Sequence, residues 1–227
     1  MDSEKRLARI AGSLYLVVAV LGGFAELYVR SRIIVAGDAS ATADNIRASA
    51  ILFRVGFVSD LVQATLFLFT AMALYLLLRH VNELVARAMV VIVAVSVAII
   101  CLNLLNQYTA LQIATTEGSD ALAGLFADMH ASGYLIAQIF FGLWLLPLGY
   151  LVYRSGFFPR AIGVLLAIGC FGYLADTFVQ FLAPGMAESV EPFVLAPAAV
   201  GELSLVVWLL VKGVRVVESR APAPAFG

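Results

Sequence analysis

Six apolar stretches, at residues 7–29, 55–78, 84–108, 132–153, 161–182 and 193–211, occupy most of this chain. Each supplies about 20 predominantly apolar residues, the length of helix that crosses roughly 30 Å of hydrocarbon. Their apolar residues surround the helix instead of forming a stripe, which excludes amphipathic surface helices. Period-two alternation is missing and the runs exceed the length of a barrel strand. A 63% hydrophobic and 13% charged composition, with mean hydropathy +1.00, excludes a water-soluble domain, where those shares are about one half and one quarter. The prediction is an all-α, polytopic six-helix transmembrane bundle, one domain over residues 1–220, followed by a disordered tail at 221–227.

Charge sets the orientation. Lys5, Arg6, Arg9, Arg79, Arg87, Arg154, Arg160, Lys212, Arg215 and Arg220 fall at one end of the spans. Arg30, Arg32, Arg47 and Arg54 fall at the other, among Asp38, Asp44, Glu117, Asp120, Asp128, Glu188 and Glu191. The positive-inside rule therefore predicts cytoplasmic N- and C-termini. The first stretch is too long for the apolar core of a secretory signal, and Glu26, Tyr28 and Arg30 stand where a small-residue cleavage site would lie, so it reads as an uncleaved span. Cys101 and Cys170 lie within spans and read as small core residues. A net charge of −1 gives no footprint for nucleic acid.

Two outer loops have room for structure. Gly37-Asp38 reads as a turn, and Thr42 followed by Asn45 predicts a short helix from Ala43 into the second span. Residues 109–129 are acidic and unpatterned. In the fourth loop, Gly156 suits a left-handed cap and Pro159 the first turn of the next helix. Pro147 predicts a kink in the fourth span. The pairs Ala8/Gly12 and Ala19/Gly23 predict close packing of the first span. Gln63, Tyr75 and Arg79 recur as Gln138, Tyr150 and Arg154, and Asn103 and Gln107 as Asp176 and Gln180. This pattern reads equally as a parallel repeat or as convergent placement of interface residues.

At 1.5 Å per residue from the arginine that ends each span, Glu26, Asp60, Asn103, Gln138 and Asp176 all sit roughly 24 to 28 Å above the basic boundary. The first five spans thus supply one polar layer, and the sixth supplies Glu202 at roughly 15 Å, near the midplane. Helical spacing adds Gln63, Asn106, Gln107, His130, Tyr134 and Gln180 to the same faces. Ionisable groups in hydrocarbon cost at least about 2.5 kcal/mol, so these faces are expected to meet one another or a wet cavity. Each residue also has a structural reading. Glu26 can pair with Arg30, Asp60 with Arg54, and Asn103, Asn106 and Gln107 with neighbouring helices, while His130 reads as an interfacial, solvated side chain. Glu202 has the most costly charged form in the chain.

His80 and His130 lie at opposite ends of their spans, so they cannot share a haem or a zinc ion. No Gly-rich phosphate loop, Gly-x-Ser-x-Gly elbow or His-Glu-x-x-His is present, and no motif implies a cofactor. The residues assign no metal ligands, and Glu26, Asp60, Asp176 and Glu202 form the one carboxylate set left to consider.

Ala8-Arg9-Ile10-Ala11-Gly12, the run from Leu151 through Ser155-Gly156-Phe157-Phe158-Pro159-Arg160 to Leu166, and Gly201-Glu202-Leu203-Ser204-Leu205 with Trp208 to Gly213 resemble a bacterial membrane family, domain of unknown function 4386. Gly37-Asp38, Ala43-Asp44-Asn45-Ile46 and Leu52-Phe53-Arg54 are similar to that family's first loop. The resemblance implies a small multi-pass protein of the bacterial cytoplasmic membrane and supplies no reaction. It also implies a histidine where this chain carries Trp144.

The functional expectation is a protein surrounded by membrane lipid that binds or transports a small cation, a proton or an amine-bearing molecule at an outer-leaflet site. Glu202 and Asp176 would ligate or accept protons, and Asn103, Gln107 and Gln138 would orient the ligand. Asp60, Glu26, His130 and Arg54 complete the candidate set. Two alternatives stand beside it: an intramembrane enzyme acting on a lipid or isoprenoid through Asp60 and Asp176, and an accessory subunit whose polar groups only join helices. The residues fix neither substrate nor oligomeric state.

Overall fold

The computed structural model describes residues 2–116 and 118–215, so the expected tail at 221–227 lies outside the described residues. Among them no strand occurs, and six helices are long and apolar enough to span a membrane. This is a multi-pass integral membrane protein. The first span comprises α1 (Asp2–Gly23), a π-helical stretch (Phe24–Arg30) and the short α2 (Ser31–Ile33). Then come α3 (Ala39–Ala48), α4 (Ala50–Leu78), α5 (Glu83–Thr115), α6 (Asp120–Leu143), α7 (Leu145–Ser155), α8 (Arg160–Leu182) and α9 (Pro184–Val211).

The long helices form a ring in chain order: α1 on α4, α4 on α5, α5 on α6, α6 and α7 on α8, α8 on α9, with α9 returning to α1. Large apolar side chains cover the outside, with Leu27, Ile51, Leu182 and Phe193 each about 80% exposed, a surface that only lipid makes favourable. The main core, with Leu74, Met89, Trp144, Leu148, Leu166 and Leu205, fills the basic half. A smaller apolar cluster of Val29, Ile33, Ile46, Phe53 and Leu111 seals the acidic end. The polar layer lies between them.

Several boundaries differ from the expectations. The short outer helix exists but starts at Ala39, because the Asp38 carboxylate caps it by accepting from the Ala41 N–H at 2.9 Å. Thr42 instead closes the preceding turn, its Oγ1 accepting from Val35 N at 3.0 Å, and Gly37 takes φ 75° there. Ser49, at φ −122° and ψ 33°, separates α3 from the second span. The expected loop 109–129 is mostly helix, since α5 continues to Thr115 and α6 begins at Asp120. The sixth span likewise starts early, at Pro184, whose missing N–H costs nothing in a first turn.

Pro147 acts as predicted. Its ring nitrogen cannot donate to the carbonyl of Leu143, and the helix breaks at Trp144 between α6 and α7. Gly156 takes the left-handed cap at φ 73°, while Pro159 sits one position before α8 and Arg160 opens that helix. Ala8 is fully buried, and a Cβ at Gly12 would stand 2.8 Å from Leu209 Cβ, so this pair does set the α1–α9 contact. Ala19 and Gly23 do not pack a helix: a Cβ at Gly23 would meet nothing, and both residues border a cavity.

Candidate functional site

That cavity, of about 740 Å³, lies between α1, α4, α6, α8 and α9. Counting from the basic ends of the helices, it descends from Arg30 at the acidic end to Trp144 and Glu202, roughly 15 Å above the basic boundary. Its mouth carries Glu26, Arg30, His130, Gln180 and Glu191; its floor carries Tyr15, Phe67, Trp144, Tyr173 and Glu202.

The mouth is organised by Arg30, which the π-helical stretch turns onto the buried face beside Val29. Its guanidinium, about 10% exposed, stands 2.5 Å from Asp60 Oδ2 and 2.6 Å from Glu26 Oε2. It also lies over the Tyr134 ring at 5.5 Å. Two carboxylates therefore neutralise one cation. The Glu26–Arg30 pairing matches the four-residue spacing, but the expected Asp60–Arg54 pair is not formed. Arg54 is exposed and faces an apolar groove on the outside of the bundle, so it leaves the candidate site.

His130 is buried, at 5% exposure, and not the solvated residue expected. Asn103 holds it from α5, donating to the His130 carbonyl at 2.8 Å and standing 3.2 Å from its Nδ1. Gly133 makes room for the Asn103 side chain, since any Cβ there would overlap it. Asn106 donates in turn to Asn103 Oδ1 at 3.0 Å. Gln107 is buried, and neither of its side-chain polar atoms has a partner among the described residues. Asn103 and Asp60 thus touch residues of the cavity without lining it and Gln107 does not line it, whereas Glu26, His130, Gln138, Asp176 and Glu202 do. Gln63 and Gln138 both face the cavity, as do Asp176 and Gln180; Asn103 and Gln107, their counterparts in the sequence pattern, do not. At the cavity the sequence pattern is therefore matched by the Gln63–Gln138 pair alone.

Gln138 Nε2 donates to Asp176 Oδ2 at 2.6 Å. Asp176 Oδ1 and His130 Nε2 remain buried without a partner among the described residues. At the floor, Tyr15 and Tyr173 both donate to Glu202, the latter at 3.2 Å, so its partners are phenols and not Arg54. The Trp144 indole is only 1% exposed and meets Tyr15 and Phe67 edge-on, with ring centres 5.6 and 5.0 Å apart. The position where the family resemblance implies a histidine is therefore aromatic floor. The sequence reading missed Trp144, Tyr15 and Tyr173 as site residues, although Tyr173 precedes Asp176 by three residues on one helical face. The sequence places Glu191 only among the acids of the outer end, in the loop before the sixth span, whereas α9 starts at Pro184 and carries it to the cavity.

Among the described residues, no three His, Cys, Asp or Glu side chains converge well enough to hold a metal ion. The carboxylate set of Glu26, Asp60, Asp176 and Glu202 is spread over the height of the cavity, and Asp60 is locked with Arg30. That ion pair also removes Asp60 from the acid–base partnership with Asp176 considered above.

The chain matches the family model described as Domain of unknown function (DUF4386) over residues 10–213. It belongs to that family. The match covers all six spans apart from the first turns of α1, in keeping with the motifs noted above. An uncharacterized protein of Archaeoglobus fulgidus is 32% identical over 145 residues, 63% of this chain and 74% of the relative. No solved structure matches. DUF4386 carries no reaction in its description, so activity has to be argued from the cavity.

Proposed function

We propose that this DUF4386 protein binds, and moves across the membrane, a small organic molecule bearing a protonated amine. Charge carries this reading. Four carboxylates line the cavity against one cation, Arg30, and that cation is already paired with Glu26 and Asp60. Asp176, Glu191 and Glu202 are then left without a basic partner among the described residues. The aromatic floor suits an organic cation better than a bare ion, because ring faces attract ammonium groups and shed water readily. A volume of about 740 Å³ is of the size that holds a ligand of drug-like dimensions. Asp176 Oδ1 and His130 Nε2, unpartnered among the described residues, supply an acceptor and a polar ring nitrogen.

In this reading, Glu202 holds the ammonium at the floor, Asp176, oriented by Gln138, receives it higher in the cavity on the way down, and Glu26 and Glu191 draw cations to a mouth facing outside the cytoplasmic membrane. The test is a matched panel: phenethylamine against phenylpropionate, titrated into detergent-purified protein while tryptophan fluorescence is followed. Trp144 is one of only two tryptophans and forms the floor, so occupancy should change its emission. The amine is expected to bind at least about tenfold more tightly than the acid, the effect of one uncompensated charged hydrogen bond. Equal affinity would refute the reading.

A further inference from the structure

A second concavity, of about 780 Å³, lies at the opposite, basic end of the bundle. It sits between the α7–α8 turn and the segment after α9, and three arginines, Arg154, Arg160 and Arg215, line it with Tyr153 and Gly156. Its frame is fixed by the backbone. Gly156 ends α7 at φ 73°, and Ser155 Oγ accepts from Phe157 N at 3.1 Å. Gly213, at φ 68°, reverses the chain after α9, and Arg215 N donates to the Phe157 carbonyl at 3.3 Å. Phe158 and Val214, 3% and 2% exposed, anchor both segments in the main core. Arg160 lies over the Tyr153 ring at 5.5 Å and Arg215 over Trp208 at 5.0 Å, so two of the guanidiniums are held by aromatic faces.

None of the three arginines makes a salt bridge among the described residues. The contrast with the other basic turn is direct: there Arg87 is paired with Glu83 at 2.7 Å. Between residues 132 and 182 the single acid is Asp176, far away in the other cavity. Like charges that converge with no acid beside them among the described residues repel one another, and a multivalent oxyanion relieves that repulsion while accepting several N–H donors at once. The first turn of α8 has no side-chain cap and adds its open backbone N–H groups to the same side.

We infer that this arginine pocket is a binding site for a phosphate group, carried either by a phospholipid headgroup or by a soluble phosphate. The site is independent of the amine cavity, at the other end of the molecule. Three probes test it through the thermal stability of the detergent-purified full chain: dioctanoyl phosphatidic acid, dioctanoylglycerol, which lacks the phosphate, and inorganic phosphate. Phosphatidic acid should raise Tm and dioctanoylglycerol should not. An equal rise with inorganic phosphate assigns a soluble source, and a rise with the lipid alone assigns a headgroup; either supports the site.

In Arg154→Gln/Arg160→Gln/Arg215→Gln the apparent Kd should weaken at least about tenfold, as expected when charged hydrogen bonds are lost. The same charge change placed elsewhere at that end, in Arg6→Gln/Arg9→Gln/Arg79→Gln, should preserve it. Should the triple variant fail to fold, the three single substitutions are read instead, each weakening the response. The inference is overturned by an equal response to dioctanoylglycerol, by no response to either phosphate probe, by equal loss in the control variant, or by full retention in the pocket variants.

Discussion

Arg30 is the side chain whose loss the bundle should feel most. It is the buried cation between Glu26 and Asp60, and Asp60 is itself only 2% exposed. Removing one partner of a buried pair costs about 3 to 5 kcal/mol, because the remaining charge stays buried and uncompensated. Arg30→Gln should destabilise the protein by that order, and Arg30→Met/Asp60→Leu should recover most of the loss; chemical unfolding in detergent measures both. A single variant within about 0.5 kcal/mol of wild type, the range of ordinary surface changes, would show that the pair contributes little. Half of this triad was legible in the sequence. Glu26 and Arg30 share a helical face at four-residue spacing, but Asp60 and Arg54, six residues apart, point roughly 120° away from each other. The true partner lies on another helix, 30 residues away, in a register that depends on a π-helical turn no pattern announced.

Among the elements, α3 is the part that hydropathy alone would discard. It closes the acidic end by packing against α6, where Gly124 admits Ala39 so closely that a Cβ would stand 2.8 Å from its Cα. Arg47 ties it to Asp120 of α6 at 2.7 Å and pairs within α3 with Asp44 at 2.6 Å. Those hydrogen bonds, first to Asp120 and then to Asp44, hold the guanidinium even more firmly in its charged form. Asp38→Ala removes the cap and should cost about 1 kcal/mol, with faster amide exchange confined to α3. Unchanged exchange there would mean that tertiary packing alone holds the helix. Apolar length found the six spans but not their ends, because a helix continues into polar sequence wherever caps and ion pairs satisfy its termini. Pro147 was legible for the converse reason: a missing N–H breaks the ladder whatever surrounds it.

For the whole molecule, the polar layer could be read from helix rise and the positions of arginines, since both depend only on counting. Which faces converge could not, because rotation of each helix is set by packing. Hence α5, at the right depth, stands behind α6 and supplies Asn103 as a support for His130, while α9 brings Glu191 and Glu202 inside. The expected orientation rests on the ten basic residues at one end against four at the other. Reporter fusions at Asn82 and Gly156 should signal from the cytoplasm and a fusion at Ser119 from outside; an external signal at Gly156 would turn the cavity mouth inward. The central claim, an ammonium held by the cavity carboxylates, is tested most directly at Glu202. Its two phenol partners can bond an amide nearly as well as a carboxylate, so Glu202→Gln should keep the wild-type Tm. The Kd for phenethylamine should nonetheless weaken at least about tenfold, as the charged hydrogen bond to the ligand is lost. Unaltered amine affinity in a folded Glu202→Gln protein, or failure of that variant to fold at all, would contradict the account and return Glu202 to the structural network.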